Sequence, residues 1–375
     1  MIETAVSEDE RMLRETAAKF VDAVCPLSTV RELIDSGTGL PERYLRQIGD
    51  LGWLGLVVPD EFDGGLAAAG VRYLAAVAQV RGHGLQPAAF ASMSTVIAAL
   101  CRRGATAQRA AVLPALAAGV SAATWLVGDV DGDATPGRAI TASPDVETDA
   151  FVLSGTGLVQ DGASADWFLV TAGGGPGPTQ FLVPAGTPGL TVKPRQAHDV
   201  TQRFAAVTLD RVTVPSSALV GDWGGAGPDV EFQMQLAAVL VVAETVGAMD
   251  ALLEMTCQYA LDRFSFGRPI GSFQAVKHQL ADLSLSLEAA NAISAGAVDA
   301  LQDGRADAGE IVSMAKAWTG DVGIEIAQGC FQVFGGIGYT WEHDSHLYLR
   351  RITMNGLLFG GPDWHRERIC AGHGI

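Results

Sequence analysis

Two stretches in the last third of the chain have residue types and spacing suited to holding a phosphorylated ligand. One is Arg263-Phe264-Ser265-Phe266-Gly267 running on to Phe273-Gln274, and the other is Gln332-Val333-Phe334-Gly335-Gly336-Ile337-Gly338-Tyr339. A guanidinium matches a pyrophosphate because its planar fork donates two charge-assisted hydrogen bonds. Paired glycines let backbone N–H groups approach a nucleotide closely. Alone, the arginine would equally suit a surface or interface ion pair, and the glycines a turn between helices. Together they mark a candidate nucleotide site.

Three zones of different texture must position these motifs. Residues 1–120 read as helical, with turn chemistry at Val58-Pro59-Asp60 and Asp63-Gly64-Gly65 and Ala/Leu-rich stretches at Tyr73 to Val80 and Ala110 to Ala118. Residues 121–222 carry short β-type runs: Ala150 to Ser154, Trp167 to Thr171, Phe181 to Val183, Leu190 to Val192 and Ala206 to Leu209, separated by Gly/Pro/Asp turns. Over 223–375 helical periodicity returns. There Phe273, Val276, Leu280, Leu283, Leu287, Ala290 and Ile293 advance by three or four, the stripe of a helix facing a bundle core.

Composition narrows the function classes. A chain of 375 residues has room for two or three domains, and 48% hydrophobic content against 18% charge predicts burial between subunits. The net charge of −17, with no Lys/Arg-rich run, argues against nucleic acid and anionic membranes. A polyanionic ligand must then meet individually placed cations such as Arg263. No run of about 18 uncharged apolar residues has membrane-type flanks, and Met1-Ile2-Glu3-Thr4 lacks the features of a leader, which predicts a cytoplasmic protein. Cys25, Cys101, Cys257, Cys330 and Cys370 lack metal-ligand spacing and read as reduced, mostly core thiols, with no metal site.

The order helical, β, helical, with both motifs in the last zone, resembles the acyl-CoA dehydrogenase family over nearly the whole chain. Gly52-Trp53-Leu54-Gly55-Leu56-Val57-Val58-Pro59 with Gly64-Gly65 is similar to its N-terminal signature. Arg268-Pro269-Ile270-Gly271-Ser272-Phe273-Gln274-Ala275-Val276-Lys277-His278 followed by Ala281-Asp282 is similar to its first C-terminal signature. Thr340-Trp341-Glu342-His343-Asp344 through Arg350-Arg351 resembles a subgroup common among actinobacterial members. The resemblance implies a mainly α fold with an N-terminal helical domain, a middle β-barrel-like domain and a C-terminal four-helix bundle.

It also implies an acyl-CoA substrate, an electron-transfer flavoprotein as acceptor, and an FAD shared across the dimer interface of a tetramer. By position, Arg263 would pair with the pyrophosphate, Phe266 and Gly267 would shape the adjacent surface, and Gln274 would bond the adenosine side. Gln332, Val333, Phe334, Gly335 and Gly336 would line the adenine and ribose. The family removes an α-proton with a carboxylate while flavin N5 accepts the β-hydride. Here the position used by short- and medium-chain members holds Phe359, and the one used by isovaleryl- and long-chain-type members holds Ala237.

Glu244 is the remaining candidate base, seven residues and roughly 10 Å along the same helix from Ala237. The alternative for it is an ion pair or subunit contact. Asp363, beyond Gly360-Gly361-Pro362, is a weaker candidate that could instead cap a terminal helix. The ring-holding loops of the family are also altered, to Thr124-Trp125-Leu126-Val127-Gly128-Asp129 and Leu158-Val159-Gln160-Asp161-Gly162. Trp125 could stack on a flavin or be a core indole.

Adenosine-side motifs beside lost base and ring positions resemble a division of labour found in some actinobacterial members, including those acting on steroid side-chain thioesters. Two unlike subunits there form an α2β2 assembly. The resemblance therefore implies a second acyl-CoA dehydrogenase subunit as partner. A self-sufficient homotetramer using Glu244 and a non-catalytic structural homologue are the alternatives, and nitroalkane oxidases and flavin monooxygenases share the fold.

Overall fold

The computed structural model describes residues 7–41, 43–62 and 66–375. The segment Met1-Ile2-Glu3-Thr4 and the turn and signature residues Asp63, Gly64 and Gly65 lie outside them. Among the described residues the first zone is built of α1 (Glu8–Val24), α2 (Leu27–Ser36), α3 (Tyr44–Asp50), α4 (Gly70–His83), α5 (Phe90–Arg103) and α6 (Thr106–Ala117). α1 begins where the Ser7 hydroxyl accepts a hydrogen bond from the Glu10 N–H at 3.1 Å, and its first turn carries Glu8, Asp9 and Glu10 against the positive end of the helix dipole.

The middle zone forms one sheet from β1 (Ala123–Leu126), β2 (Gly137–Asp145), β3 (Ala150–Gln160), β4 (Trp167–Gly173), β5 (Thr179–Pro184), β6 (Leu190–Arg195), β7 (Phe204–Pro215) and β8 (Leu219–Val220). Its order is β6-β7-β3-β2-β4-β5-β8, with β1 beside β4. The β1–β4 and β2–β4 pairs are parallel and the rest antiparallel. All five runs read as strands lie within β3 to β7. β1 and β2 escaped because β1 is short and buried throughout, without alternation, while β2 buries only Ile140 and Ala142 and contains Pro144.

The last zone comprises α7 (Gly227–Asp262), a hairpin of β9 (Phe264–Ser265) and β10 (Arg268–Pro269), α8 (Gln274–Gln302), α9 (Ala308–Phe334), α10 (Ser345–Leu357) and α11 (Pro362–His373). α7 is long and apolar enough to cross a membrane, yet 94% of its most apolar window is buried inside the protein, so it is the core helix. It packs on α4, α5, α8, α9 and α10. The α4–α7 crossing depends on two glycines: a Cβ at Gly82 would lie 1.8 Å from the Glu244 carbonyl oxygen, and one at Gly247 would lie 1.9 Å from that of Gln79.

The predicted apolar stripe lies on α8 and just before it, but this chain covers only its second half well. Leu287 and Ala290 are buried, whereas Val276, Leu280 and Leu283 are half-buried and neighbouring Leu285 is 71% exposed. Cys25, Cys101 and Cys330 are buried and Cys257 and Cys370 exposed, all as free thiols.

Candidate functional site

The two motifs meet at the end of α7 and α9. Arg263 follows the last residue of α7, its N–H bonded to the Tyr259 carbonyl and its carbonyl accepting from the Ile270 N–H, both at 2.8 Å. The Tyr259 ring packs on Phe334 at 5.2 Å, joining the arginine motif to the glycine motif. No hydrogen bond or ion pair holds the exposed Arg263 guanidinium among the described residues. Gln274 and Gln332 are exposed, and a side chain at Gly335 or Gly336 would meet open space.

Phe266 and Gly267 form the two-residue turn between β9 and β10, both with positive φ (52° and 78°). A bulky aromatic is strained there, and Phe266 is nevertheless 94% exposed. Phe264, Ile337, Tyr339 and Trp341 add to the exposed apolar surface of the two motifs. Phe334 departs from its expected place: its ring is buried between Tyr259 and His343, leaving only backbone for a ligand.

The opposite end of the expected cofactor site is closed. Trp125 and Phe359 stack with centroids 6.0 Å apart and planes at 19°, and the cavity they line with Ser92, Gly128 and Gln160 is about 90 Å³. Ligand sites are ordinarily about 300–1,000 Å³. Polar side chains on this wall are spent on one another. Thr124 donates to the Gln160 carbonyl at 2.8 Å, the Ser92 hydroxyl accepts from the Trp125 N–H, and the Trp125 indole donates to Thr171 at 2.9 Å. Trp125 is thus a core indole. Phe359 holds a positive φ of 56°, a strained conformation for such a residue. The exposed Arg263 and Gln274 and the open Gly335-Gly336 suit a phosphorylated nucleotide, whereas the cavity lined by Trp125 and Phe359 is too small for a flavin ring.

Glu244, the residue expected as a base, does not line that cavity. Its carboxylate accepts from Arg351 at 2.6 Å and from Gln202 at 3.3 Å. Arg351 is wholly buried and also donates to Asp199 at 2.7 Å, to Thr201, and to the carbonyls of Leu85 and Gln86. This junction ties the loop after α4, the loop before β7, α7 and α10 together. Asp363 lies in the exposed first turn of α11, paired with Arg366 at 2.9 Å.

Sequence reading missed Lys316 altogether. It is fully buried on α9 and donates to the carbonyls of Gly356 (2.8 Å) and Gly360 (3.0 Å), pinning the loop that presents Phe359. Burial alone lowers its pKa from 10.5 to about 7. Because the unfolded chain keeps this proton to higher pH than the folded one, the penalty is complete below about pH 7 and fades as pH rises toward 10.5. Comparing denaturation midpoints of Lys316→Met and wild type from pH 6.5 to 10 should show their stability difference changing by up to about 1.4 kcal/mol per pH unit, in favour of wild type as pH rises. A difference independent of pH would show that Lys316 titrates normally.

Residues 7–120 match the acyl-CoA dehydrogenase N-terminal domain and residues 229–373 the acyl-CoA dehydrogenase C-terminal domain. The chain belongs to the acyl-CoA dehydrogenase family, flavoprotein oxidoreductases acting on acyl-CoA. It is 30% identical to acyl-CoA dehydrogenase IpdE2 of Mycobacterium tuberculosis, over 95% of this chain and 94% of that one. FadE34 of the same organism is 36% identical over 70% of this chain, which spans only 36% of FadE34. The ChsE4-ChsE5 complex from M. tuberculosis superposes with a TM-score of 0.90 at 25% identity, covering 100% of this chain and 99% of that one.

Proposed function

We propose that this chain is one subunit of a hetero-oligomeric acyl-CoA dehydrogenase, completing the adenosine end of an FAD whose ring lies in an unlike partner's active site. The observation that carries this is the contrast within one molecule: an Arg263 without a partner among the described residues and open Gly335-Gly336 at one end, and a cavity filled by the Trp125–Phe359 stack at the other. Arg263 binds the pyrophosphate through its fork, Gln274 bonds the adenosine side, and Gln332, Val333 and the backbone of Phe334 to Gly336 line adenine and ribose. When bound, FAD would supply the hydride acceptor for the acyl thioester, and the partner would supply the base for the α-proton.

Phe266 and Tyr339 are exposed apolar side chains of the two motifs, a surface suited to a partner subunit. That one solved relative is a complex of two differently named chains supports an unlike partner over a second copy. Glu244 has a structural role in this assignment, and electron-transfer flavoprotein is the electron acceptor of the assembled enzyme.

Purifying the chain alone and co-expressed with a second acyl-CoA dehydrogenase subunit, then recording flavin absorbance and acyl-CoA-dependent dye reduction, tests this. Alone it should be colourless and inactive, and together the pair should hold FAD and turn over. Stoichiometric flavin with turnover in the isolated chain would sink the proposal.

A further inference from the structure

At the α4–α7 crossing, on the side remote from the Trp125–Phe359 cavity lining, three potential metal ligands converge. They are His83 at the end of α4 and Asp250 and Glu254 on α7, and their ligand atoms all lie within 4.8 Å of one another. Asp250 and Glu254 are four residues apart and share a helix face. His83 is brought against them because Gly82 and Gly247 let the two helix backbones touch. Its position is fixed further by the Tyr348 hydroxyl of α10, which donates to the His83 carbonyl at 3.0 Å.

We infer that His83, Asp250 and Glu254 form a binding site for a divalent transition-metal ion such as Zn²⁺, bridging α4 to α7. The donor set, one imidazole nitrogen and two carboxylate oxygens, is one that zinc accepts with a further position left to water. An imidazole favours zinc, cobalt or nickel over the hard cations magnesium and calcium. Zinc–ligand bonds of about 2.0–2.2 Å require the three atoms, which lie within 4.8 Å of one another, to draw closer. Glu254 already reaches the His83 Nε2 at 3.1 Å.

The charge at the site points the same way. Two carboxylates, Asp250 and Glu254, face a single imidazole there. That is a surplus of negative charge that a bound dication relieves. The bridge would clamp the helix crossing that also carries Glu244, so its readout is stability rather than chemistry.

Calorimetric titration of the purified, chelator-treated chain with Zn²⁺, repeated with Mg²⁺, tests the site alongside His83→Ala and Glu254→Gln. Wild type should bind one Zn²⁺ with a rise in melting temperature and show no comparable binding of Mg²⁺. Each variant should bind Zn²⁺ at least about tenfold more weakly and lose that rise, since ligands and their supports commonly govern affinity by about 10–100-fold. Melting in chelator establishes that the variants are folded, and His373→Ala, which removes the exposed His373–Glu310 pair, should behave as wild type. Zn²⁺ binding unchanged in both site variants, or absent from wild type, would overturn the assignment.

Discussion

Arg351→Met should destabilise the chain by about 3–5 kcal/mol, the range for removing one partner of a buried ion pair. The arginine is fully buried and bonds two carboxylates, Asp199 and Glu244, as well as two backbone carbonyls of the loop after α4. Methionine fills much of its volume but leaves those acceptors without their donor. Asp199 would keep the Thr201 hydroxyl and N–H, at 2.7 and 2.8 Å, whereas Glu244 would keep only the long bond from Gln202. Most of the loss should therefore pass through Glu244, and Arg351→Met/Glu244→Leu should recover part of it. Urea denaturation midpoints of the two variants against wild type measure both effects, and an Arg351→Met midpoint equal to wild type would contradict this account.

The same measurement separates the two roles weighed for Glu244. A catalytic base replaced by glutamine loses turnover and keeps its stability. A junction carboxylate does the reverse, and Glu244→Gln should lower the midpoint while the assembled enzyme retains turnover of the wild-type order. Turnover abolished in a variant as stable as wild type would restore Glu244 as the base.

What could be read from sequence was whatever is written in consecutive residues. Arg263 to Gly267 and Gln332 to Gly336 are contiguous, and Gly267 and Gly335 sit at positive φ where a side chain would be strained, so the motifs announce the family and one end of its site. The junction is assembled from Asp199, Glu244 and Arg351, which no local pattern connects. Even so, Ala243-Glu244-Thr245-Val246-Gly247 held half of the explanation, because Gly247 marks the helix contact that buries Glu244. Lys316 was invisible for another reason: in Met314-Ala315-Lys316-Ala317-Trp318 a lysine on an apolar helix reads as a solvated side chain, and only the two carbonyls facing it show otherwise. The Trp125–Phe359 stack likewise joins a strand to a loop more than two hundred residues later, so the closing of the ring-side cavity could be suspected from missing motifs but not seen.

Arg263→Ala should weaken FAD retention by the assembled enzyme by about 10–150-fold, the equivalent of losing hydrogen bonds to a charged group at about 1.5–3 kcal/mol. The structure sharpens this test because the guanidinium has no partner among the described residues, so its removal breaks no contact seen there that stabilises the free subunit. Surface substitutions of this kind ordinarily change stability by no more than about 0.5 kcal/mol, and the melting temperature of the isolated variant should match wild type. Arg263→Lys should fall between the two in FAD affinity, because an ammonium keeps the charge but loses the fork that matches two phosphate oxygens. Equilibrium dialysis of FAD against the purified pair, at two salt concentrations, gives the affinities, and the defect should shrink as salt screens the pyrophosphate charge. A lysine variant as weak as alanine would mean that paired hydrogen bonds, not charge, hold the phosphate. FAD affinity unchanged in Arg263→Ala would remove the adenosine-side assignment, since Gln274 and the open glycines carry no charge to replace the arginine.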